Sequence, residues 1–223
     1  MSLIISKHHK YIFFHLPKNA GVSVSRVLIE QENLLKIKRI SSFLLRNIFK
    51  KKDNFYFSLK NKKLNFFNSH YPCYKIQKII DEDTFSKYLK FAVIRNPWDR
   101  MISRYFYSKK IDSSFKDLSF KEFLNFDLKN NMHVIDQFKF CTDISNNFCL
   151  DLVLKFENLN QDFNNISSKL FKKENMLVHL NKSEHKYYRE YYDVETKDKI
   201  YKYCKKDIES VSYTHLRAHE TRH

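Results

Sequence analysis

A lysine, a glycine and a serine lie close together where an apolar run gives way to a helical pattern, and these residue types suit a phosphate group. The apolar run covers residues 11–16 and predicts a buried strand, whereas residues 22–35 carry apolar side chains at helical spacing. The N-terminus of a helix presents N–H groups without helical acceptors and a positive dipole end. We therefore predict a phosphate-binding loop that is formed by Lys18, Asn19, Ala20, Gly21, Val22 and Ser23.

Gly21 is the one glycine among 223 residues, although about 15 would be typical at a usual content of ~7%. Its place between a strand and a helix indicates a turn with a positive φ, or a close approach of the backbone to a ligand. The usual nucleotide loop has an earlier glycine and a lysine directly after the last one. Because this chain has neither, a magnesium-dependent kinase or NTPase is disfavoured. A plain strand-to-helix turn with a paired lysine is the alternative.

A second group of polar residues follows the apolar run 91–94, which predicts another buried strand. Arg95 comes at the carboxyl end of this strand, where open α/β sheets place their ligands, and its guanidinium can bind a phosphate with two hydrogen bonds. Pro97 predicts the start of a helix, and Ser103 would add a hydroxyl from that helix. The alternative for Arg95 is an ion pair with an acidic residue such as Asp99.

Strands that alternate with helices must position these two groups. The pattern predicts an α/β fold with three layers, in which helices cover both faces of a central parallel sheet. Further strands are predicted over residues 64–68 and 152–156, and further helices over 42–49, 81–90, 97–109, 120–128, 159–171 and 195–209. The length and the absence of a linker predict a single domain over residues 1–210.

Residues 211–223 differ in composition from the rest of the chain. From Ser212 onward the segment has no Lys, Asn, Phe or Ile, and it carries three of the ten histidines. We interpret 211–223 as a non-native read-through tail, with a genuine short basic tail as the alternative.

The net charge of +16 would suit nucleic acid, a membrane surface or small anionic ligands, but a composition rich in Lys, Asn, Phe and Ile also indicates an AT-rich genome. Charge alone therefore assigns no function. The four cysteines form no C-x-x-C pair and no zinc pattern, which predicts that no metal is bound. Scattered thiols, together with the lack of a signal-peptide pattern or a long apolar run, predict a cytoplasmic, soluble protein.

The two polar groups together resemble the phosphate motifs of the carbohydrate sulfotransferase superfamily. HLPKNAGVS at residues 15–23 is similar to its 5′-phosphosulfate loop, and VIRNPWDRMISRY at 93–105 is similar to its 3′-phosphate motif. VLKFENL at 153–159 resembles a later strand of the family. HLNKS at 179–183, followed by YY at 191–192 and DIE at 207–209, is similar to the ending of bacterial members. Val22 departs from the pattern, since threonine is common there. The resemblance implies 3′-phosphoadenosine-5′-phosphosulfate (PAPS) as donor, no required metal, and a fold similar to P-loop nucleotide kinases.

Sulfuryl transfer requires a base for the acceptor hydroxyl and a charge that stabilises the leaving phosphate. The resemblance assigns the leaving-group charge to Lys18 and implies a histidine or glutamate base at a strand end. We predict that His70 is this base because imidazole exchanges protons near neutral pH. His133 is the rival, and a hydrogen-bonded loop histidine is the alternative for His70. By resemblance alone, Lys182 and Ser183 would contact the adenine or the 3′-phosphate.

Two other functions remain as alternatives, namely a nucleotide-dependent kinase and a basic nucleic-acid-binding protein. A kinase would need an acidic residue for magnesium near the loop, and a nucleic-acid binder would need a basic patch interleaved with aromatics. We rank the sulfotransferase first and expect a glycan or other hydroxylated acceptor, with no nucleic acid. Peripheral association with a membrane-linked acceptor is compatible with the sequence, which specifies neither the acceptor nor the oligomeric state.

Overall fold

The computed structural model describes residues 3–32, 56–58, 64–67, 70–130, 136–173, 177 and 185–210, and of 56–58 and 64–67 it describes the backbone alone. The strands are β1 (Leu3–Ser6), β2 (Tyr11–Phe14), β3 (Tyr56–Ser58), β4 (Leu64–Phe67), β5 (Leu89–Ile94) and β6 (Leu152–Lys155). The helices are α1 (Gly21–Gln31), α2 (Cys73–Gln77), α3 (Glu82–Lys87), α4 (Pro97–Ile111), α5 (Phe120–Lys129), α6 (Gln137–Phe140), α7 (Leu159–Phe171), α8 (Val194–Tyr203) and α9 (Lys205–Ser210).

Several sequence predictions fall outside the described residues. They concern the rival base His133, the nucleotide contacts Lys182 and Ser183, the helix over 42–49 and the tail 211–223.

The chain divides into two compact units, and each consists of two separate segments. The first unit comprises Met1–Ile94 and Phe140–Asn181, and the second comprises Arg95–Lys139 and Lys182–His223. The first unit contains the sheet and the predicted phosphate loop, whereas the second contains Arg95 and Ser103.

The sheet of the first unit has the order β3-β4-β1-β2-β5-β6 and is mixed. β2 pairs with β5 and β5 with β6 in parallel, whereas β1 is antiparallel to both β2 and β4, and β3 is antiparallel to β4. The prediction of a wholly parallel sheet is therefore wrong. For β1 the reason is the short turn over residues 7–10 that joins it to β2. A parallel pair needs a longer crossover than this turn can provide.

The four strands that the sequence predicted nevertheless run in one direction. β4 is antiparallel to β1, and β1 is antiparallel to β2, so β4 points the same way as β2, β5 and β6. Their carboxyl ends therefore share one edge of the sheet. The segment 15–20 follows β2 at this edge, and His70 follows β4.

The hydrophobic core of the first unit forms where the sheet meets helices α1 and α7. Phe13 of β2 and Phe91 of β5 are fully buried, with ring centroids 5.2 Å apart. Helix α1 contributes an apolar face, and α7 contributes residues three and four positions apart, as amphipathic packing requires. The buried helical residues in this core are Val24, Val27, Leu28, Leu159, Phe163 and Ile166.

Local capping chemistry explains where several helices begin. Asn96 accepts hydrogen bonds from the N–H groups of Trp98 and Asp99, and Pro97 occupies the first helical position of α4 as predicted. Ser119 and Glu122 form a capping box at α5, and Asp193 with Thr196 forms a similar reciprocal cap at α8.

Two predicted helices differ from those in the structure by more than a residue or two at one end. The helix predicted over 81–90 ends at Lys87, and strand β5 already begins at Leu89. The helix predicted over 195–209 is divided at Cys204 into α8 and α9, although Ile200, Cys204 and Ile208 all remain buried. Among the described residues, no helix is long and apolar enough to cross a membrane.

Candidate functional site

The segment between β2 and α1 turns through two residues with left-handed backbone conformations. Lys18 has φ 65° and Ala20 has φ 55°, whereas Gly21 has a negative φ. For residues with a Cβ this conformation costs roughly 1 kcal/mol each. The expectation that glycine supplies the positive φ is therefore wrong, because its two neighbours adopt that conformation instead.

Gly21 is required by the ring of His15. A Cβ atom built on Gly21 would overlap three atoms of the His15 imidazole. The ring itself is buried and stacks on Phe13, with centroids 6.3 Å apart. The close approach that the lone glycine indicated is therefore an approach to a side chain of the same loop.

Asn19 fastens the loop to the sheet. Its side chain is almost wholly buried, and its Nδ2 donates a hydrogen bond of 2.8 Å to the carbonyl oxygen of Val93 in β5. This bond joins the turn after β2 to the end of the neighbouring parallel strand. It thereby fixes the residue between the two left-handed positions, Lys18 and Ala20.

Helix α1 begins without a side-chain cap. Its N-cap is Ala20, whose methyl group accepts no hydrogen bond, and its first turn holds no acidic residue. By contrast, Asp81, Asn96, Ser119 and Asp193 each cap a helix with an oxygen atom. The first N–H groups of α1 follow Lys18 closely in sequence and lie at the positive end of the helix dipole, where an anion binds well.

Ser23 and Val22 lie on opposite sides of this first turn. Ser23 is buried, and its backbone N–H donates to the carbonyl oxygen of Ala20 over 3.0 Å. Val22 is half-exposed, and Lys18 is partly buried. The turn therefore buries its hydroxyl-bearing residue and turns its valine towards solvent.

His70 lies beside the same loop. Its Nδ1 is 2.7 Å from the carbonyl oxygen of His15, and the two imidazole rings meet edge to face with centroids 4.9 Å apart. A carbonyl oxygen can only accept a hydrogen bond, so the proton of neutral His70 is on Nδ1 and the lone pair is on Nε2. The structure thus places the predicted base, His70, next to His15, which lies three positions before Lys18.

In the second unit, Arg95 is held by both its side chain and its backbone. Its Nε donates to Asp99 Oδ2 over 2.8 Å, which is the ion pair that the sequence offered as the alternative role. Its backbone N–H donates to Gln137 Oε1 over 3.1 Å, and its carbonyl oxygen accepts from Gln137 Nε2 over 2.9 Å. A guanidinium has five N–H donors, so a bond to Asp99 through Nε is compatible with phosphate binding.

Ser103 and two further arginines lie on α4, within about two turns of its start. Ser103 and Arg100 are buried. Arg104 donates from Nε and Nη2 to the same oxygen of buried Asp127, at 2.9 and 2.8 Å. Arg104 is therefore engaged in a structural ion pair, which anchors α4 to α5.

Sequence reasoning missed the role of Gln137. This residue is almost wholly buried, and its Nε2 also donates to Asp207 Oδ2 over 3.2 Å. Asp207 accepts a second bond of 2.8 Å from the N–H of Phe138. Burial raises the pKa of Asp207 to about 7, with the nearby Arg100 opposing and Asp136 reinforcing the rise. The sole sequence signal was the placement of Asp207 in a segment that resembles a family ending.

No group of three or more His, Cys, Asp or Glu side chains arranged to hold a metal ion occurs in the parts of the chain that the structure describes. Glu157 lies exposed in a 3₁₀ turn, Phe156–Asn158, after β6.

A lysine-bearing turn between a parallel strand and an uncapped helix is typical of α/β proteins that bind phosphate groups. The sequence profile of the sulfotransferase family matches residues 1–214, so the chain belongs to this family and is a transferase of that kind. An uncharacterized protein from Archaeoglobus fulgidus is 32% identical over 120 residues, which are 53% of this chain and 97% of that protein. No solved structure matches the chain. The resemblance that the two motifs indicated is thereby confirmed for the family.

Proposed function

We propose that this sulfotransferase moves a sulfuryl group from PAPS to a hydroxyl of a carbohydrate-type acceptor. The observation that carries the proposal is the N-terminus of α1, where Ala20 provides no cap and Lys18 adds a positive charge. A dianionic phosphate or phosphosulfate suits such a site better than a neutral ligand does. The proposal includes a three-layer arrangement similar to P-loop nucleotide kinases and a cytoplasmic location.

Each residue of the loop has a role in this proposal. The amides of residues 19–22 and the Ser23 hydroxyl bind the 5′-phosphosulfate. Lys18 stabilises the negative charge that develops on the bridging oxygen as the sulfur–oxygen bond to the phosphate breaks. Asn19 contributes by holding the turn on β5 rather than by touching the sulfate.

His70 acts as the base in this proposal. The bond from its Nδ1–H to the His15 carbonyl leaves the lone pair on Nε2, which takes the proton of the acceptor hydroxyl as the new oxygen–sulfur bond forms. After this transfer His70 is an imidazolium with a proton on each ring nitrogen. The bond to the His15 carbonyl stabilises this cation, because its Nδ1–H already has an acceptor. The 3′-phosphate is bound by Arg95 and Ser103, and Lys182 with Ser183 completes the nucleotide contacts.

A thermal shift experiment tests the donor class. Adenosine 3′,5′-bisphosphate, the product left when PAPS gives up its sulfuryl group, should raise Tm, whereas ATP with magnesium should raise it much less. At 100 times its Kd a ligand stabilises by about 2.7 kcal/mol, which is several degrees for a protein of this size. An equal or larger shift with magnesium ATP would favour a kinase and reject the proposal.

A histidine substitution tests the base. His70→Ala should retain bisphosphate binding and lose transfer of sulfate from labelled PAPS, by about 10²-fold or more. His8→Ala is the matched control, since His8 is exposed in the turn between β1 and β2, away from the edge that carries the loop. Unchanged turnover of His70→Ala would refute the assignment.

An arginine substitution tests the 3′ role. Arg95→Ala should weaken binding of adenosine 3′,5′-bisphosphate far more than binding of AMP, which lacks the 3′-phosphate. Calorimetry with both ligands measures the difference, and equal losses for the two would exclude a 3′-phosphate role for Arg95.

A further inference from the structure

The amide of Gln137 binds the main chain of Arg95 on both sides. It accepts from the Arg95 N–H over 3.1 Å and donates to the Arg95 carbonyl oxygen over 2.9 Å, and both residues are buried. A neighbouring β-strand would offer the same pair of bonds. Gln137 therefore restrains the backbone of Arg95, the first residue after β5, through both its N–H and its carbonyl group.

The side chain of Arg95 is fixed by the segment that follows. Asp99 binds Nε at 2.8 Å from the first turn of α4, whose N-cap is Asn96. The ion pair with Asp99 and the two bonds from Gln137 both restrain the guanidinium. Loss of the Gln137 bonds would leave the charge in place but would weaken the restraint on the Arg95 backbone.

Asp207 helps to orient the Gln137 amide. Its Oδ2 accepts a hydrogen bond of 3.2 Å from Gln137 Nε2, so the NH₂ group of Gln137 faces Asp207. This orientation in turn directs Oε1 to the Arg95 N–H. The reverse orientation would place two oxygen atoms against each other and two donors against each other.

Several charged or titratable groups surround Asp207. Arg100 of α4 lies near it, Asp136 just before α6 shares a hydrogen bond with it, and Cys204 at the junction of α8 and α9 is close. Asp207 also accepts the N–H of Phe138, which fixes the start of α6. Asp207 and its hydrogen-bond partner Asp136 therefore lie at the far end of the chain of bonds that leads to Arg95.

We infer that Gln137 and Asp207 are positioning residues for nucleotide binding, which act through the backbone of Arg95 without touching the nucleotide. This inference rests on the proposed role of Arg95 at the 3′-phosphate. Part of the nucleotide specificity then depends on buried side chains that are distant in sequence. Gln137 lies 42 positions after Arg95, and Asp207 lies a further 70 positions along the chain.

The test compares two ligands and four proteins. Gln137→Ala and Gln137→Glu should each weaken binding of adenosine 3′,5′-bisphosphate by about tenfold and change binding of AMP by less than about twofold. Gln137→Glu keeps the shape of the side chain but loses the donor, so it distinguishes the hydrogen bond from simple packing. Gln161→Ala on the exposed surface of α7 is the control and should change neither affinity.

In steady-state assays, the KM for PAPS should rise in both Gln137 variants while kcat stays close to that of the parent protein. A merely structural role would lower the affinities for the bisphosphate and AMP together. Equal losses, or no loss, in a variant that unfolds cooperatively would overturn the inference. If Gln137→Ala does not fold, the same comparison with the isosteric Gln137→Glu decides the question.

Arg95→Ala separates this inference from the function on which it depends. If Arg95→Ala leaves the preference for the bisphosphate unchanged, the proposed role of Arg95 fails. If Arg95→Ala abolishes the preference but the Gln137 variants keep it, the positioning role fails. The double variant Arg95→Ala with Gln137→Ala should bind the bisphosphate as weakly as Arg95→Ala alone, since the two act as one unit.

Discussion

The buried carboxyl group of Asp207 should make the protein less stable as the pH rises from about 4 to about 7. Burial raises the pKa of this group from its usual 3.8 to about 7 in the folded chain. Between these values the folded state keeps a proton that the unfolded chain has released. The stabilisation is complete below the unfolded pKa, decreases with rising pH, and is lost above the folded pKa.

The size of this effect follows from the shift. At 1.36 kcal/mol for each pKa unit, a rise from 3.8 to about 7 corresponds to about 4 kcal/mol at most. Other groups contribute with the opposite sign. Hydrogen bonds from Thr84 lower the pKa of Asp81, and burial lowers the pKa of His9, so both favour the folded state more at higher pH.

The Asp207→Asn variant separates the contribution of Asp207 to the free energy of unfolding from the contributions of other titrating groups. Urea unfolding of the parent chain and of Asp207→Asn at several pH values gives two curves, and their difference isolates the one carboxyl group. The stability of the parent relative to the variant should fall by up to about 4 kcal/mol between pH 4 and pH 8. A difference that is constant, or that grows with pH, would refute a buried and protonated Asp207.

Three further outcomes are expected from the described contacts. Gly21→Ala should lower stability by about 1–3 kcal/mol, because the new methyl group overlaps the His15 ring, and thermal unfolding measures this loss. Ser119→Ala removes the cap of α5 and should cost about 1 kcal/mol in urea unfolding. Iodoacetamide should modify half-buried Cys149 before Cys73, whose pKa is raised by burial, as followed by peptide mass.

Each of these outcomes has a control. In a His15→Ala background the ring is absent, so Gly21→Ala should lose most of its cost; an undiminished cost would contradict the overlap. An unchanged midpoint for Ser119→Ala would show that the capping box adds nothing to α5. Buried Cys204, whose pKa burial raises to about 12, should react as slowly as Cys73, and faster labelling of either than of Cys149 would contradict the burial.

The sequence predicted those features that depend on neighbouring residues. Helix α7 has the predicted bounds, Pro97 begins α4, and the strands β2, β5 and β6 lie where apolar runs end in polar loops. Apolar spacing and proline geometry act within a few residues, so a single sequence reveals them. The family membership also followed from two short motifs for the same reason.

The features that the sequence did not reveal depend on distant residues. Strand β1 is four residues long, and its antiparallel place between β2 and β4 arises from pairing rather than from its own pattern. The lone glycine indicated a tight approach but not its partner, which is the ring of His15. The hydrogen bonds of the Gln137 amide form only when α6 packs against Arg95, the residue after β5, and against Asp207 in α9.

Each of the two units consists of two segments that alternate along the chain, so the first unit cannot fold completely early in translation. When residues 1–94 have left the ribosome, five of the six strands in the sheet exist, but β6 and the apolar face of α7 do not. The parallel edge of β5 would then expose backbone groups that β6 later pairs, a state that invites association with other chains. A chain truncated after residue 94 should therefore aggregate, and neither unit can be obtained as one continuous fragment. Completion of the unit that contains the sheet thus waits for more than three quarters of the chain to be translated.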